Sequence, residues 1–389
     1  MVAFELVEVG SADAEQAHGP GARGAASAAE IMGGALGRRR QKEPDEWDTV
    51  YEGYHRGPVT AVCFCGDGKT LITASADGTA CVWTALSGAH RITLPHGSSP
   101  GHTEGLTSCA CDGDGSRVIT GSQDHAARIW DAVTGATIHE LVGHKGHVNG
   151  VCFSADGDRV ATAGGDWKAK IWSTLTGEIE TVVLGHIDAV LCVAFDPKGT
   201  RLATGSGDKT VKVWDATKEF FYVKATGKSG YTNASGAIVA TYDAHDDHVT
   251  SVSFARKRPW LVSSSLDKTI KIWDVTSGEE FAEFELKKGV HCAALSDDDA
   301  RLVAAGADRS PRIWDVETMK LQTTLDAKHR AHRKARVVSG VAFSGEYVAT
   351  ASDDGLARLW EARDDSAKKF DAPPPSAPRE SPRASRLGS

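Results

Sequence analysis

Seven tryptophans recur along the chain, and an aspartate stands six residues before each of them. The pairs are Asp77/Trp83, Asp124/Trp130, Asp166/Trp172, Asp208/Trp214, Asp267/Trp273, Asp308/Trp314 and Asp354/Trp360. In six of the seven repeats a histidine lies 28 residues before the tryptophan. These histidines are His55, His102, His144, His186, His245 and His332. A period near 42 residues with constant internal spacing is typical of a repeat architecture.

Residues 185–215 show one repeat clearly. Three short apolar runs are separated by Asp-Pro-Lys-Gly and Gly-Asp-Lys, which are turn sequences, so an antiparallel meander is predicted. A fourth apolar run follows in most repeats, and we label the four strands a, b, c and d. One such sheet cannot bury both of its faces, whereas seven sheets packed around an axis can. The predicted fold is all-β, a seven-bladed β-propeller of four-stranded antiparallel blades.

The Gly-His phrase, the aspartate of the b–c turn and the closing Trp-Asp resemble the WD-repeat family of β-propellers, over residues 46–362. In that family the histidine of the d–a loop, a Ser or Thr of strand b, the aspartate and the tryptophan form a hydrogen-bonded chain inside each blade. The resemblance implies four complete sets in this sequence. They are His55, Ser75, Asp77 and Trp83; His102, Ser122, Asp124 and Trp130; His186, Ser206, Asp208 and Trp214; and His245, Ser265, Asp267 and Trp273.

The same residue types, Ser, His and Asp, make up a hydrolase triad. Catalysis needs one such set in a cleft, whereas four copies at fixed spacing indicate a structural device. We therefore predict no catalytic residue, and the sequence gives no reason to expect a cofactor or a bound metal.

Two blades depart from the pattern in part. Blade 3 has Gly164 where the hydroxyl is expected, so its chain is predicted to be broken between His144 and Trp172. Blade 7 keeps Ser352, Asp354 and Trp360, but alignment of its strand a places Lys334 rather than His332 in the histidine position.

Blade 6 departs most. Leu286 and Gly306 replace the histidine and the hydroxyl residue, and Pro311 falls inside the predicted strand c. Proline cannot donate a ladder hydrogen bond, so this strand should be weakened. Two interpretations remain open: sequence drift in a blade that its neighbours support, or a blade reshaped for a partner.

The segments outside the repeat differ in composition. Residues 1–45 are rich in Gly and Ala and are predicted to be a disordered arm, and residues 363–389 a disordered Pro/Ser/Arg tail. Residues 46–52 alternate like the d strands, so we predict that they complete the last blade by pairing with the strand that ends at Trp360.

The net charge of −8 gives no attraction to nucleic acid or to an anionic membrane surface. No apolar stretch approaches 18 residues, and the N-terminal residues lack the pattern of a signal or transit peptide. A cytoplasmic or nuclear protein is expected.

The eight cysteines fall in or near strands a or c at small apolar positions, where free thiols in a reducing compartment are expected. Two Cys-x-Cys pairs lie on adjacent blades, Cys63/Cys65 and Cys109/Cys111. Their offsets from the histidine differ by one residue, so they lie on opposite sheet faces. The pairs either confront each other between the blades or point apart, and only the first arrangement would suit zinc.

An insertion distinguishes blade 4. From Trp214 to His245 there are 31 residues, against 14 between the corresponding residues of blades 2 and 3. The surplus contains the aromatic residues Phe220, Phe221, Tyr222 and Tyr231. Aromatics beside lysines in a loop suggest a partner-binding surface. The alternative is that these rings pack on the outer strand of their own blade.

The resemblance implies a non-catalytic scaffold that binds other proteins, as a monomeric propeller within a larger complex. The fold alone does not fix that function. The alternative is a substrate receptor of a cullin-type ubiquitin ligase. Some members of that class carry W-D-x-R after strand c, which Trp360-Glu361-Ala362-Arg363 approaches.

Overall fold

Twenty-eight β-strands account for all the regular structure in the computed structural model, which describes residues 49–95, 100–217, 236–325 and 337–362. The strands form seven four-stranded sheets, as the repeat predicts. The described residues lie in one compact unit, residues 37–389. The predicted arms, residues 1–45 and 363–389, lie outside the described residues. No helix capable of crossing a membrane occurs in the described ranges.

Each blade is an antiparallel meander of strands a to d. Blade 1 contains β2 (Val59–Phe64), β3 (Thr70–Ser75), β4 (Ala80–Thr84) and β5 (Ala89–Leu94). Blade 2 contains β6 (Leu106–Cys111), β7 (Arg117–Ser122), β8 (Ala126–Asp131) and β9 (Thr137–Val142). Blade 3 contains β10 (Val148–Phe153), β11 (Arg159–Gly164), β12 (Ala169–Ser173) and β13 (Ile179–Val183). Blade 4 contains β14 (Val190–Phe195), β15 (Arg201–Ser206), β16 (Val211–Asp215) and β17 (Ile238–Tyr242).

The remaining blades follow the same order. Blade 5 contains β18 (Val249–Phe254), β19 (Trp260–Ser265), β20 (Thr269–Asp274) and β21 (Glu280–Glu285). Blade 6 contains β22 (Val290–Leu295), β23 (Arg301–Gly306), β24 (Arg312–Asp315) and β25 (Leu321–Thr324). Blade 7 contains β26 (Val338–Ser344), β27 (Tyr347–Ser352), β28 (Ala357–Glu361) and, from the start of the described chain, β1 (Thr49–Tyr51).

The core is divided among the seams between blades. Each of seven apolar clusters draws its side chains from two adjacent blades. At the seam of blades 1 and 2, for example, Ile72 and Val82 pack with Val118 and Trp130, all less than 2% exposed. Burial of apolar surface therefore holds neighbouring sheets face to face around the axis.

The ring closes as predicted, with the segment before the first histidine completing the last blade. Strand β1 pairs antiparallel with β28, with Val50 opposite Arg358. The Tyr51 hydroxyl donates to the carbonyl of Ala85 at 2.5 Å, which joins this strand to blade 1 as well. Residues 46–48 of the predicted strand lie outside the described residues.

Pro311 shortens strand c of blade 6. Strand β24 begins at Arg312 and has four residues, whereas the c strands of the other blades have five or six. The strand starts after the proline because proline has no N–H for the ladder, which agrees with the expected effect of Pro311 on this strand.

Two truncations should distinguish the contribution of β1 to stability from that of the residues before it. Removal of residues 1–53 deletes β1 and leaves an unpaired edge on β28, so we expect a large fall in the thermal unfolding midpoint. Removal of residues 1–43 spares the strand and should leave the midpoint nearly unchanged. Equal midpoints for the two truncations would contradict closure by β1.

Candidate functional site

A buried hydrogen-bond chain runs through blade 4. The Trp214 indole N–H donates to Thr204 Oγ1 at 2.8 Å, and that hydroxyl lies 2.7 Å from His186 Nε2. On the other side of the imidazole ring, Nδ1 lies 2.7 Å from Asp208 Oδ2. The aspartate also accepts the backbone N–H of Ile187 at 3.1 Å. The chain therefore joins strand c, strand b, the d–a loop and the b–c turn.

Blades 2, 3 and 5 contain the same chain with nearly the same distances. The imidazole Nε2 lies 2.7–2.8 Å from the hydroxyls of Thr120, Thr162 and Ser263. Each of these hydroxyls accepts an indole N–H at 2.8–3.0 Å, from Trp130, Trp172 and Trp273. The Nδ1 atoms lie 2.8–2.9 Å from Asp124, Asp166 and Asp267.

Blade 1 closes its chain through one more hydroxyl. His55 Nε2 lies 2.7 Å from Thr73 Oγ1, which accepts from the Trp83 indole at 2.9 Å. His55 Nδ1 lies 3.1 Å from Thr79 Oγ1, whereas its distance to Asp77 Oδ2 is 3.6 Å. The histidine therefore reaches the aspartate mainly through Thr79, whose hydroxyl donates to Asp77 at 2.6 Å.

The structure corrects the hydroxyl that the resemblance implied. Ser75, Ser122, Ser206 and Ser265 do not link the histidine to the tryptophan; the residue two positions earlier does. The serines have a different role at the b–c turn. Ser206 Oγ donates to the Ala189 carbonyl at 2.9 Å and accepts the Asp208 N–H at 3.1 Å, and so joins this turn to the d–a loop.

The prediction of a broken chain in blade 3 was wrong for the same reason. Thr162 supplies the hydroxyl, and Gly164 occupies the position of the turn serine. A Cβ atom at Gly164 would lie 2.3 Å from His144 Nδ1, so this position has no room for a side chain. In blade 7 the Trp360 indole donates to Thr350 at 2.9 Å, while His332 and Lys334 lie outside the described residues.

Burial and hydrogen bonding both favour the neutral imidazole. Desolvation lowers the pKa values of His102, His144, His186 and His245, although the nearby aspartates partly oppose this effect. With the proton on Nδ1, the ring donates to the carboxylate and accepts the hydroxyl proton at Nε2. These chains can hold loops in place. Their hydroxyl groups are buried, so a substrate could not reach them.

A set of exposed side chains lies at the end of the propeller where these chains terminate. The residue after the b–c aspartate has a positive φ in every blade, and in blades 1 and 7 it is Gly78 or Gly355. In blades 2 to 6 it is His125, Trp167, Lys209, Lys268 or Arg309, all exposed, with φ from 68° to 80°. A left-handed backbone costs a non-glycine residue about 1 kcal/mol or more. The sequence analysis missed this arc, although a non-glycine residue at that turn position was a visible signal.

Trp167 and Ile187 are two exposed apolar side chains on adjacent blades at this end. Trp167 is 54% exposed in the b–c turn of blade 3, and Ile187 is 80% exposed in the d–a loop that enters blade 4. Because the same loop carries His186, the hydrogen-bond chain of blade 4 fixes the position of Ile187. We call the arc of five residues together with Ile187 the b–c face.

The cysteine pairs of blades 1 and 2 confront each other between the blades. Cys65 and Cys111 form a disulfide with a Cα–Cα distance of 5.2 Å, and Cys63 Sγ lies 3.9 Å from Cys109 Sγ. The expectation that all eight cysteines are free was therefore wrong for two of them. No group of three or more metal-ligating side chains with suitable geometry occurs within the described ranges.

The aromatic residues of the blade 4 insertion, Phe220, Phe221, Tyr222 and Tyr231, lie outside the described residues. The described chain resumes at Gly236, and the next strand, β17, carries Ile238 and Val239, each 50% exposed.

Blades 3 and 4 should respond equally to loss of the aspartate, because both chains are complete. We expect Asp166→Ala and Asp208→Ala each to lower the free energy of unfolding by about 1–3 kcal/mol, since a buried imidazole N–H loses its acceptor. Chemical denaturation measures both. The exposed Asp246→Ala serves as the control and should change stability by less than about 0.5 kcal/mol. A much smaller cost at Asp166 would restore the idea of a broken chain in blade 3.

The lowered histidine pKa values predict loss of stability in mild acid. Below the unfolded value of about 6.5, the unfolded chain binds protons that the buried imidazoles do not. This contribution to stability should be complete above that pH and fall as the pH drops below about 6.5, by up to about 1.4 kcal/mol per pH unit for each histidine. Thermal unfolding across this range tests the trend, and His186→Gln should make it less steep. A stability that stays constant or rises on acidification would refute the neutral-imidazole arrangement.

Comparison with known proteins agrees with this geometry. The family model described as "WD domain, G-beta repeat" matches residues 49–84, 94–131, 135–173, 177–215, 236–274, 280–315 and 320–361, more than half of the chain. Mitochondrial division protein 1 of Mycosarcoma maydis is 34% identical over 106 residues, which cover 26% of this chain and 13% of that protein. COMPASS component SWD3 of Saccharomyces cerevisiae is 31% identical over 133 residues, 33% of this chain and 42% of that protein.

A third relative is E3 ubiquitin-protein ligase COP1 of Arabidopsis thaliana, 28% identical over 126 residues, 32% of this chain and 18% of that protein. The chain thus spans less than half the length of each of these relatives. The seven matched repeats and the seven blades together show that the chain belongs to the WD-repeat family of β-propellers.

Proposed function

We propose that this protein is a non-catalytic scaffold, active in the cytoplasm or the nucleus, that assembles or positions protein partners within a larger complex. WD-repeat propellers generally bind other proteins, and one relative is itself a component of COMPASS. The observation that carries the proposal is the b–c face, where side chains are held exposed at an energetic cost.

The geometry of Trp167 supports a binding role. Its backbone has φ of 68°, a conformation that glycine adopts without strain, yet an indole that is 54% exposed occupies the position. Strain of this kind persists where the surrounding structure enforces it, and it is concentrated at functional sites. Tryptophan is also among the residue types that are enriched at interface hot spots.

The charges nearby indicate the chemistry of the partner. Lys209, Lys268 and Arg309 occupy the same turn position in blades 4, 5 and 6, and all are exposed. Cations in the b–c turns of blades 4, 5 and 6, at the same end of the propeller as Trp167 and Ile187, would complement a partner with both apolar and acidic side chains.

The blade 4 insertion is a second proposed binding surface, based on sequence alone. Phe220, Phe221, Tyr222 and Tyr231 lie in it beside Lys218, Lys224 and Lys228. A partner that contacts these aromatic residues would be independent of one that contacts the b–c face.

Two variants test the surfaces separately. The first combines Trp167→Gly with Ile187→Ser, and the second changes Phe220, Phe221, Tyr222 and Tyr231 to Ser. Each is used as bait for affinity purification from the protein's own cells, with mass spectrometry of the captured proteins. Loss of two anchors worth about 2 kcal/mol each would weaken binding by roughly 1,000-fold, so a partner should disappear.

The controls are built into the repeat. Trp167→Gly installs the residue found at this position in blades 1 and 7, so the unfolding midpoint should not fall. Leu175→Ser removes an 86% exposed side chain from the c–d turn at the opposite end of blade 3 and should retain all partners. If both variants stay folded and keep every partner, the two proposed surfaces are wrong.

The ubiquitin-ligase alternative is distinguished by the same purification. Resemblance to E3 ubiquitin-protein ligase COP1 covers 18% of that protein and rests on the repeats, which other relatives share. Co-purification of a cullin adaptor with the unmodified chain would favour a substrate receptor over a general scaffold.

A further inference from the structure

The seam between blades 1 and 2 departs from the repeat at two positions of strand a. Cys109 occupies a position that is valine in five other blades, and Cys111 occupies one that is phenylalanine in five. Those phenylalanines are Phe64, Phe153, Phe195, Phe254 and Phe343. Blade 2 therefore has two thiols in place of larger apolar residues on the sheet face that packs against blade 1.

Blade 1 provides the matching thiols. Cys63 lies on β2, and Cys65 directly follows that strand. The Cys65–Cys111 disulfide joins positions 46 residues apart, and the Cys63 and Cys109 sulfurs are 3.9 Å from each other. All four cysteines belong to the apolar cluster of this seam.

The disulfide is accessible from one side. Cys65 and Cys111 line a cavity of about 220 Å³ at the end of the propeller axis where the a–b turns meet. Cys65 is 2% exposed, whereas Cys111 is only partly buried. A small molecule in the cavity would therefore reach Cys111 Sγ more easily than Cys65 Sγ.

The second pair, Cys63 and Cys109, differs from the disulfide in its reactivity. Cys109 is buried, and the neighbouring Cys63 thiol together with burial raises its pKa well above the usual value. It therefore stays protonated and unreactive near neutral pH, since the thiolate is the nucleophile. Cys63 and Cys109 therefore pack beside the disulfide and do not attack it.

We propose that the Cys65–Cys111 pair is a reversible dithiol–disulfide site whose substrates are low-molecular-weight thiols and disulfides. The attacking thiolate forms a bond to Cys111 Sγ while the bond between the two cysteine sulfurs breaks, and the Cys65 thiolate leaves and takes up a proton. A second thiolate attacks the external sulfur of the mixed disulfide and releases the small disulfide and the Cys111 thiolate, which is protonated. Two small thiols are oxidised to one disulfide, and the protein bridge is reduced to two thiols.

Reduction of the disulfide should weaken the packing between blades 1 and 2 without separating them. The apolar cluster and the strand pairing within each blade remain, so the propeller stays folded with a lower thermal stability. Closure of a loop of this length by a disulfide typically stabilises a protein enough to raise the midpoint by about 5 °C. This inference is independent of the proposed scaffold function, because it concerns the end of the propeller opposite the b–c face.

The test uses the full chain equilibrated in glutathione buffers of different reduced-to-oxidised ratios. Exchange is stopped with acid, the protein is denatured, and its free thiols are alkylated. The protein is then reduced, and the newly formed thiols are alkylated with a second, isotopically distinct reagent before peptide mass spectrometry. We expect Cys65 and Cys111 to change label together as the ratio changes, while Cys63 and Cys109 carry the first label throughout. The unfolding midpoint should fall by about 5 °C as Cys65 and Cys111 become reduced.

Two variants supply the controls. Cys65→Ser, which installs the residue found at this position in blades 3, 6 and 7, should have the low midpoint under all conditions. Cys109→Val, which installs the residue of the other blades, should keep the redox response. The proposal fails if Cys65 and Cys111 carry the first label in fully oxidised buffer. It also fails if they resist a large excess of reduced glutathione and open only after denaturation, since the bridge would then be purely structural.

Discussion

Face-to-face packing of neighbouring sheets is the interaction on which the whole structure depends. A blade presents apolar side chains on both faces, and each of the seven core clusters is shared by two blades. The tryptophan of strand c always contributes to the seam with the preceding blade, as Trp130 does beside Ile72 and Val82. Because no blade is complete alone, the ring must close, and the pairing of β1 with β28 ties the last blade to residues at the start of the described chain. The closure of the ring is therefore a consequence of the need to bury both faces of every blade.

Different hydrogen bonds hold the loops at the two ends of the seams. At the b–c end the histidine chains of blades 1 to 5 hold the d–a loop against the turn of the same blade. At the a–b end an arginine reaches across to the next blade: Arg159 donates to the carbonyls of Gly199 and Ala216, each at 2.5 Å. Trp260 occupies the arginine position in blade 5, and there Asp299 of blade 6 accepts three consecutive N–H groups of the facing turn at 2.7–2.9 Å. Either solution satisfies backbone groups that would otherwise be left unpaired at the seam.

The spacing of the repeated residues predicted the fold, because strands and turns follow from local sequence. The hydroxyl residue of each hydrogen-bond chain depends instead on the register between strands b and c. Thr73 and Ser75 are two residues apart on one strand, so both hydroxyls lie on the same face, and the family pattern alone did not choose between them. The pairing of Trp83 with Leu71 places Thr73 diagonally across from the indole and Ser75 beyond its reach. The turn at Asp77 and Gly78 fixes that register, so counting outward from the turn would have identified the threonine. The cysteine pairs were harder, since the sequence does not specify how one blade is rotated against the next.

Blade 6 replaces two members of the hydrogen-bond chain by apolar residues, and its Trp314 indole has no strand b hydroxyl to donate to. Leu286 replaces the histidine and Ala304 the hydroxyl residue, and both pack with Trp314 in the seam with blade 5. Asp308 is retained, but it is paired with Arg312 four residues later, so its carboxylate keeps a partner. Replacing both members of a buried polar pair by apolar groups costs little, whereas removing one leaves the other unsatisfied. The paired change of histidine and hydroxyl to Leu286 and Ala304 is what sequence drift under a packing constraint would produce, because the two apolar side chains fill the seam together.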